Sequence, residues 1–151
     1  MVNSNKRIAI ALVISSALIL VDQLVKILVR KYSLDFVLIR NFLDLTFVKN
    51  TGAGFGILRG QFALLIFLNI IVIIFIVWLM IYTKKSLLAD ISLALIFGGA
   101  VGNLLDRVIF GFVTDFINFT FWPVFNIADS AVTVGVVMLA YCLMSDIRDP
   151  I

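Results

Sequence analysis

Few side chains in this sequence can move a proton near neutral pH. Its nine acidic residues are all Asp, it has no His, and its one Cys is Cys142. That inventory excludes Ser–His and Cys–His catalysis, His-ligated metal sites and a disulfide framework. Asp, Lys, Tyr and one thiol remain. Four of the Asp keep polar company or stand near it: Asp22 with Lys26, Asp106 with Asn103 and Arg107, Asp129 with Asn126, and Asp115 in Val113-Thr114-Asp115-Phe116. Two carboxyls in one small low-dielectric site cannot both ionise, so their pKa values are pushed apart. The charged member can then take a proton from water while the protonated member hydrogen-bonds a scissile carbonyl. Asn and Arg side chains orient the peptide beside such a pair. This is aspartic-protease chemistry, and it needs neither metal nor cofactor.

Each local pattern also has a plainer reading. Asp22 and Lys26 are four residues apart on one side of a helix, acid first, which fits an intrahelical ion pair. It fits charge neutralisation with Lys26 snorkelling to headgroups equally well. Gly99, Asn103, Asp106 and Arg107 fall on one helical face, and Gly98 and Gly102 form a small-xxx-small pair for close helix approach. A packing face with a satisfied Asp106–Arg107 pair would look the same. Asn126-Ile127-Ala128-Asp129 before an apolar run reads as an N-cap with an acid in the first turn. Asp115 alone reads as an ordinary loop acid.

The elements that must position these residues are membrane spans. The chain has 151 residues, 63% hydrophobic and 14% charged, with mean hydropathy +1.18. A soluble domain of this size could not hide that much apolar surface. A soluble enzyme, a disordered chain and a secreted disulfide scaffold are excluded. The net charge of +3 points to lipid headgroups, not nucleic acid, because the basic residues flank apolar runs. Four runs reach the roughly 20 residues a bilayer crossing needs: about Ile8–Leu28, Phe62–Tyr82, Leu87–Ile109 and Ile127–Met144. The first, with Lys6 and Arg7 before it, resembles a signal peptide, but its apolar run continues past Asp22, and it is read as a retained helix.

Between spans one and two, Leu43, Leu45 and Phe47 alternate with Asp44, Thr46 and Val48, a strand signal. Asn50-Thr51-Gly52-Ala53-Gly54 is turn chemistry. The segment Gly111–Phe125 carries six aromatic residues and is expected as an interfacial belt or a short helix in the headgroups. Cys142 is expected to be a small buried hydrophobe.

An even number of spans puts both termini on one side. Lys and Arg outside the spans divide almost evenly between the sides, so charge does not orient the chain. Direction does gather the polar residues. Asp22 and Lys26 end span one, Asn103, Asp106 and Arg107 end span three, and Asn126 and Asp129 begin span four, so all belong to one membrane face. Asp115 and Asn50 lie in loops on that face. Asp90, Asp146 and Asp149 belong to the other.

At these residues the sequence resembles the bacterial lipoprotein signal peptidases, the type II signal peptidases. The matching pieces are Asp22-Gln23-Leu24-Val25-Lys26, Asn50-Thr51-Gly52-Ala53 with Phe55, Gly98 through Arg107, Val113-Thr114-Asp115-Phe116 and Phe125-Asn126-Ile127-Ala128-Asp129. They occur in family order over nearly the whole chain. The resemblance implies a single membrane-embedded aspartyl peptidase domain over residues 1–151. Its fold would be four transmembrane helices with a small extracytoplasmic β-sheet cradle. It implies cleavage of diacylglyceryl-modified prolipoproteins just N-terminal to the lipidated Cys, with Asp115 and Asp129 as the catalytic pair. Asn50, Gly52, Asn103, Arg107 and Asn126 would line the substrate site. Asp22, Lys26 and Asp106 would support it. A monomer in the bacterial cytoplasmic membrane, termini cytoplasmic and sensitive to globomycin-like inhibitors, is the corresponding expectation.

Two other classes compete on the residues alone. Ser130 activated by Lys26 would make a Ser–Lys hydrolase. Intramembrane Asp and Lys also mark proton-coupled transporters. A transport path needs polar groups through the full depth, and span two offers Asn69 alone.

Overall fold

The computed structural model describes residues 4–53, 57–82 and 86–148. Gly54, Phe55 and Asp149, named above from the sequence, lie outside the described residues. Four helices carry the chain: α1 (Ser4–Tyr32), α2 (Phe62–Tyr82), α3 (Leu87–Phe110) and α4 (Ile127–Arg148). All four are long and apolar enough to cross a membrane. α1 and α4 extend beyond the spans read from hydropathy. An apolar run marks the length that faces lipid, while the backbone ladder continues through polar residues such as Arg30.

α3 is the centre of the bundle, and half of its most apolar window is buried. The other three helices all pack on it, and α2 packs chiefly there. Small residues make this possible. A Cβ on Gly98 would meet Leu18 and the backbone of Ser15 in α1, and a Cβ on Gly99 would collide with the Ala128 carbonyl of α4. Gly102 leaves room for the Asp22 carboxylate, which a Cβ there would meet at 2.8 Å. Backbones that approach this closely bring polar side chains on facing helices into direct contact. Ser86 caps α3 by accepting the Ala89 N–H at 3.0 Å. Gly111, at φ 77°, ends it in the left-handed region with its N–H on the Arg107 carbonyl. The lipid-facing sides are lined by exposed Leu, Ile, Val and Phe, as a bilayer solvent requires.

Three strands, β1 (Asp35–Ile39), β2 (Leu43–Asn50) and β3 (Val113–Phe119), form one antiparallel sheet in the order β1-β2-β3. β2 is the strand expected from its alternation. β3 corrects the expectation for residues 111–125. No short helix occurs among the described residues of that segment. Its backbone pairs with β2, from Leu43 opposite Phe119 to Asn50 opposite Val113. Ile117 and Phe125 pair across an isolated bridge. The aromatics stack on one another, Phe119 on Phe125 at 5.9 Å between centroids and Phe42 edge-on to Phe119 at 5.4 Å. β2 bulges between Leu45 and Val48, next to the residue pair Val48–Asp115. Cys142 is buried, as expected, with its sulfur 3.3 Å from the Ser86 hydroxyl.

Candidate active site

The ends of α1 and α3, the start of α4, β3 and the turn after β2 meet at one end of the bundle. All but α1 line a cavity of about 700 Å³ whose walls include Asn50, Asn103, Arg107, Asp115 and Asp129. Asn69 and Val72 of α2 form another wall.

Asp115 comes from β3. Neighbouring strand side chains point to opposite faces, so Thr114 turns to α1 while Asp115 turns to the cavity. Asp115 is nearly fully buried. Its Oδ2 accepts from Asn50 Nδ2 at 2.8 Å and its Oδ1 from Asn126 Nδ2 at 2.7 Å. Its pKa is pushed up to about 7, first by burial and then by the neighbouring Asp129 carboxylate. The Asn50 and Asn126 donors oppose that rise.

Asp129 sits in the first turn of α4 and is both cap and site residue. Its backbone N–H donates to Asn126 Oδ1 at 2.9 Å, and its Oδ2 accepts the Asn126 N–H at 3.3 Å. This reciprocal capping box frees Oδ1, which accepts from Asn103 Nδ2 at 2.7 Å. Asn126 therefore touches both carboxylates, Asp115 through its side-chain amide and Asp129 through its backbone N–H.

Behind the pair lies a buried ionic cluster. Lys26 Nζ meets Asp22 Oδ2 at 2.9 Å, Asp106 Oδ2 at 3.4 Å and Asn103 Oδ1 at 2.9 Å. The ammonium thus donates to Asn103 and is ion-paired with both carboxylates. Asp22, Lys26 and Asp106 have no exposed side-chain surface. The intrahelical pair is therefore present, and the snorkelling alternative is not. Asp22 Oδ1 also accepts the Ala128 N–H at 3.0 Å, tying α1 to the start of α4.

Asp106 does not pair with Arg107. Adjacent helical residues do not face each other. Asp106 turns to α1, where it meets Lys26 and Arg30, and its Oδ2 accepts the Thr114 N–H at 2.8 Å. Arg107 turns to the cavity and donates to the Gly52 carbonyl at 3.1 Å. Gly52 is held from its other side by its N–H on Asn50 Oδ1 at 2.9 Å. All ten residues singled out from the sequence thus converge, seven of them against or beside the cavity and Asp22, Lys26 and Asp106 behind it. No buried side-chain N or O among the described residues lacks a partner.

Arg30, Thr114 and Gln23 also belong to the cluster. Arg30 lies beyond the first hydropathy span, yet its spacing carries a signal, since Asp22, Lys26 and Arg30 repeat every four residues on one helical face. Ser130 donates its hydroxyl to the Asn126 carbonyl of its own helix at 2.9 Å. Lys26 is fully engaged elsewhere, so the Ser–Lys arrangement is not assembled.

Residues 14–145 match the family model of signal peptidase (SPase) II. A lipoprotein signal peptidase of Halothermothrix orenii is 45% identical over 124 residues, covering 80% of this chain and 86% of the relative. One of Caldanaerobacter subterraneus is 41% identical over 138 residues, covering 89% and 95%. A bacterial membrane enzyme structure obtained by the in meso method at 2.3 Å resolution matches with a TM-score of 0.87 at 33% identity, covering 92% of this chain and 90% of that one. A second, at 1.9 Å, matches with a TM-score of 0.83 at 33% identity, covering 92% and 95%. Sequence and fold agree over nearly the whole length, and the chain belongs to the signal peptidase II family.

Proposed function

We propose that this protein removes signal peptides from diacylglyceryl-modified prolipoproteins, cutting just N-terminal to the lipidated Cys with water activated between Asp115 and Asp129. The observation that carries the reading is the pair itself. Two carboxylates from different elements line one cavity and share Asn126 as a common hydrogen-bond donor, by its side-chain amide to one and its backbone N–H to the other. Their proximity in a buried site favours a state with one proton between them.

In that state the ionised carboxylate removes a proton from water as the oxygen adds to the scissile carbonyl carbon. The protonated carboxyl hydrogen-bonds the carbonyl oxygen as negative charge builds there. The tetrahedral intermediate collapses with cleavage of the C–N bond. The leaving nitrogen, that of the lipidated Cys, takes a proton from the pair. One water is consumed, and the pair again holds one proton. Asn103 and Asn126 hold the carboxylates in place. Arg107, Asn50 and Gly52 form the adjoining wall that receives the peptide. Asp22, Lys26 and Asp106 fix the helices behind them. The whole chain acts as one membrane-embedded domain and a monomer, in contact with membrane lipids.

The same reading places the protein in the bacterial cytoplasmic membrane. The start of α1 and the end of α4 lie at the bundle end opposite the cavity, which fits cytoplasmic termini with the site near the extracytoplasmic face. Globomycin-like compounds are expected to inhibit it.

The test is cleavage of a diacylglyceryl-modified lipobox peptide by the purified protein in detergent, beside folded Asp115→Asn and Asp129→Asn. Cleavage before the lipidated Cys, lost in both variants, is the expected result. Failure of the folded parent to cleave overturns the reading.

A further inference from the structure

Arg30 lies in the last turns of α1, outside every motif that carries the family resemblance. Its guanidinium is mostly buried. Nη1 donates to Asp106 Oδ1 at 3.1 Å and to Thr114 Oγ1 at 2.8 Å. The guanidinium carbon lies 4.1 Å from the centre of the Phe110 ring, a cation–π contact at the end of α3. Asp106 meanwhile holds the Thr114 N–H. Thr114 is thus gripped twice, by its backbone and by its hydroxyl, from one rigid assembly of α1 and α3.

Thr114 is the residue before Asp115. β3 pairs with β2 beside a bulge between Leu45 and Val48, and Val48 is the partner of Asp115. A bulge loosens the ladder locally, so side-chain anchors there set the strand's position. Because alternate side chains take opposite faces, a grip on Thr114 from behind fixes the direction of Asp115 in front.

We propose that Arg30 is a positioning residue for the reaction, acting through Thr114 to hold Asp115 against Asn50 and Asn126. This rests on the reading of Asp115 as a catalytic carboxylate. Arg30 itself touches neither substrate nor reacting atoms.

The experiment compares the parent, Arg30→Met, Arg30→Lys, Thr114→Val and Arg30→Met/Thr114→Val on a diacylglyceryl-modified lipobox peptide, with Asp115→Asn alongside. Met keeps the stem over Phe110 and removes the donors. Arg30→Met is expected to lower kcat roughly 10- to 100-fold, the scale of a small misplacement of a reacting group, with KM within about twofold. Arg30→Lys should recover most of the loss. The double variant should cost no more than Arg30→Met alone, since both changes break one contact. The alkaline limb of kcat should move to higher pH in Arg30→Met. Asp115 would then lose the amide donors that favour its charged form, an effect that a general loosening of the fold does not produce.

Parental kcat and an unmoved pH profile in Arg30→Met overturn the proposal, as do fully additive losses in the double variant. If Arg30→Met does not fold, Thr114→Val decides it by the same two readouts, and parental values there overturn it. Turnover that survives in Asp115→Asn defeats the catalytic reading instead. An inactive Asp115→Asn beside a fully active Arg30→Met defeats the positioning role alone.

Discussion

Lys26 Nζ donates to Asn103 Oδ1 at 2.9 Å. A lysine ammonium can only donate, so this contact forces the Asn103 oxygen toward the ionic cluster and its nitrogen toward Asp129, which it reaches at 2.7 Å. Asn126 Nδ2 donates to the same Asn103 oxygen at 3.2 Å and to Asp115 at 2.7 Å. One buried cation thereby sets the polarity of two amides, and both present N–H groups to carboxylates.

Removing that cation leaves Asp22 and Asp106 buried without it. Lys26→Met is expected to cost about 3–5 kcal/mol, the scale for breaking one side of a buried ionic network. Thermal unfolding in detergent measures it. Lys26→Met/Asp22→Asn should be less destabilised than Lys26→Met, because one orphaned charge has gone. Equal or greater loss in the double variant contradicts the network.

The pKa of Asp115 near 7 fixes a pH window for turnover. Below it the pair holds its proton, and above it the last shared proton leaves. The descending limb of kcat is expected near pH 7, with a lower limb where both carboxyls are protonated, the two values belonging to the pair. In Asp129→Asn the neighbouring charge is gone, so Asp115 should titrate at lower pH, readable from its carboxyl carbon by NMR. A kcat that stays level from pH 4 to 9 contradicts the shared proton.

The same shift acts on stability. The fold favours the neutral carboxyl of Asp115, whose pKa is raised above its unfolded value of about 3.9. Its contribution is fully present below about pH 4, falls as pH rises, and is gone above about 7. Asp115→Asn removes this dependence. The melting temperature of that variant should therefore gain on the parent between pH 4 and pH 7, and the gap should stay constant above it.

Gly99 sets the α3–α4 distance. A methyl there would collide with the Ala128 carbonyl and Val132, so Gly99→Ala is expected to destabilise by about 1–3 kcal/mol, as overpacking does. It should also reduce kcat, because the displaced turn carries Asp129. A variant with parental melting temperature and turnover would show that the seam yields without cost.

Ser130→Ala should keep kcat within about twofold of the parent, since the hydroxyl only bonds a backbone carbonyl of its own helix. A folded Ser130→Ala enzyme that has lost turnover would return the Ser–Lys alternative.

Legibility followed the range of each signal. Asp22–Lys26 and Asn126–Asp129 are local spacings, four and three residues, and both appear as their spacing implies. β2 showed its alternation because its faces differ. β3 did not, because Val113 through Phe116 are all buried, which erases the period-two pattern, and its aromatic content reads as a membrane belt. Arg30 and Thr114 meet across 84 residues, and no local pattern announces such a contact. The split of Asp106 from Arg107 follows from helical angle alone, yet opposite neighbouring charges suggest a pair to a reader of the linear sequence.

α2 stands apart from this wiring. It seats chiefly on α3, with Asn69 tied to the Ala100 carbonyl at 3.3 Å, and it gives the cavity Asn69 and Val72. The carboxylates and their partners all belong to α1, α3, α4, the sheet and the turn after β2. The cavity therefore has two unlike walls: one whose carboxylates and their partners are wired into the hydrogen-bonded network, and one from α2 that brings to it a single amide and a single valine.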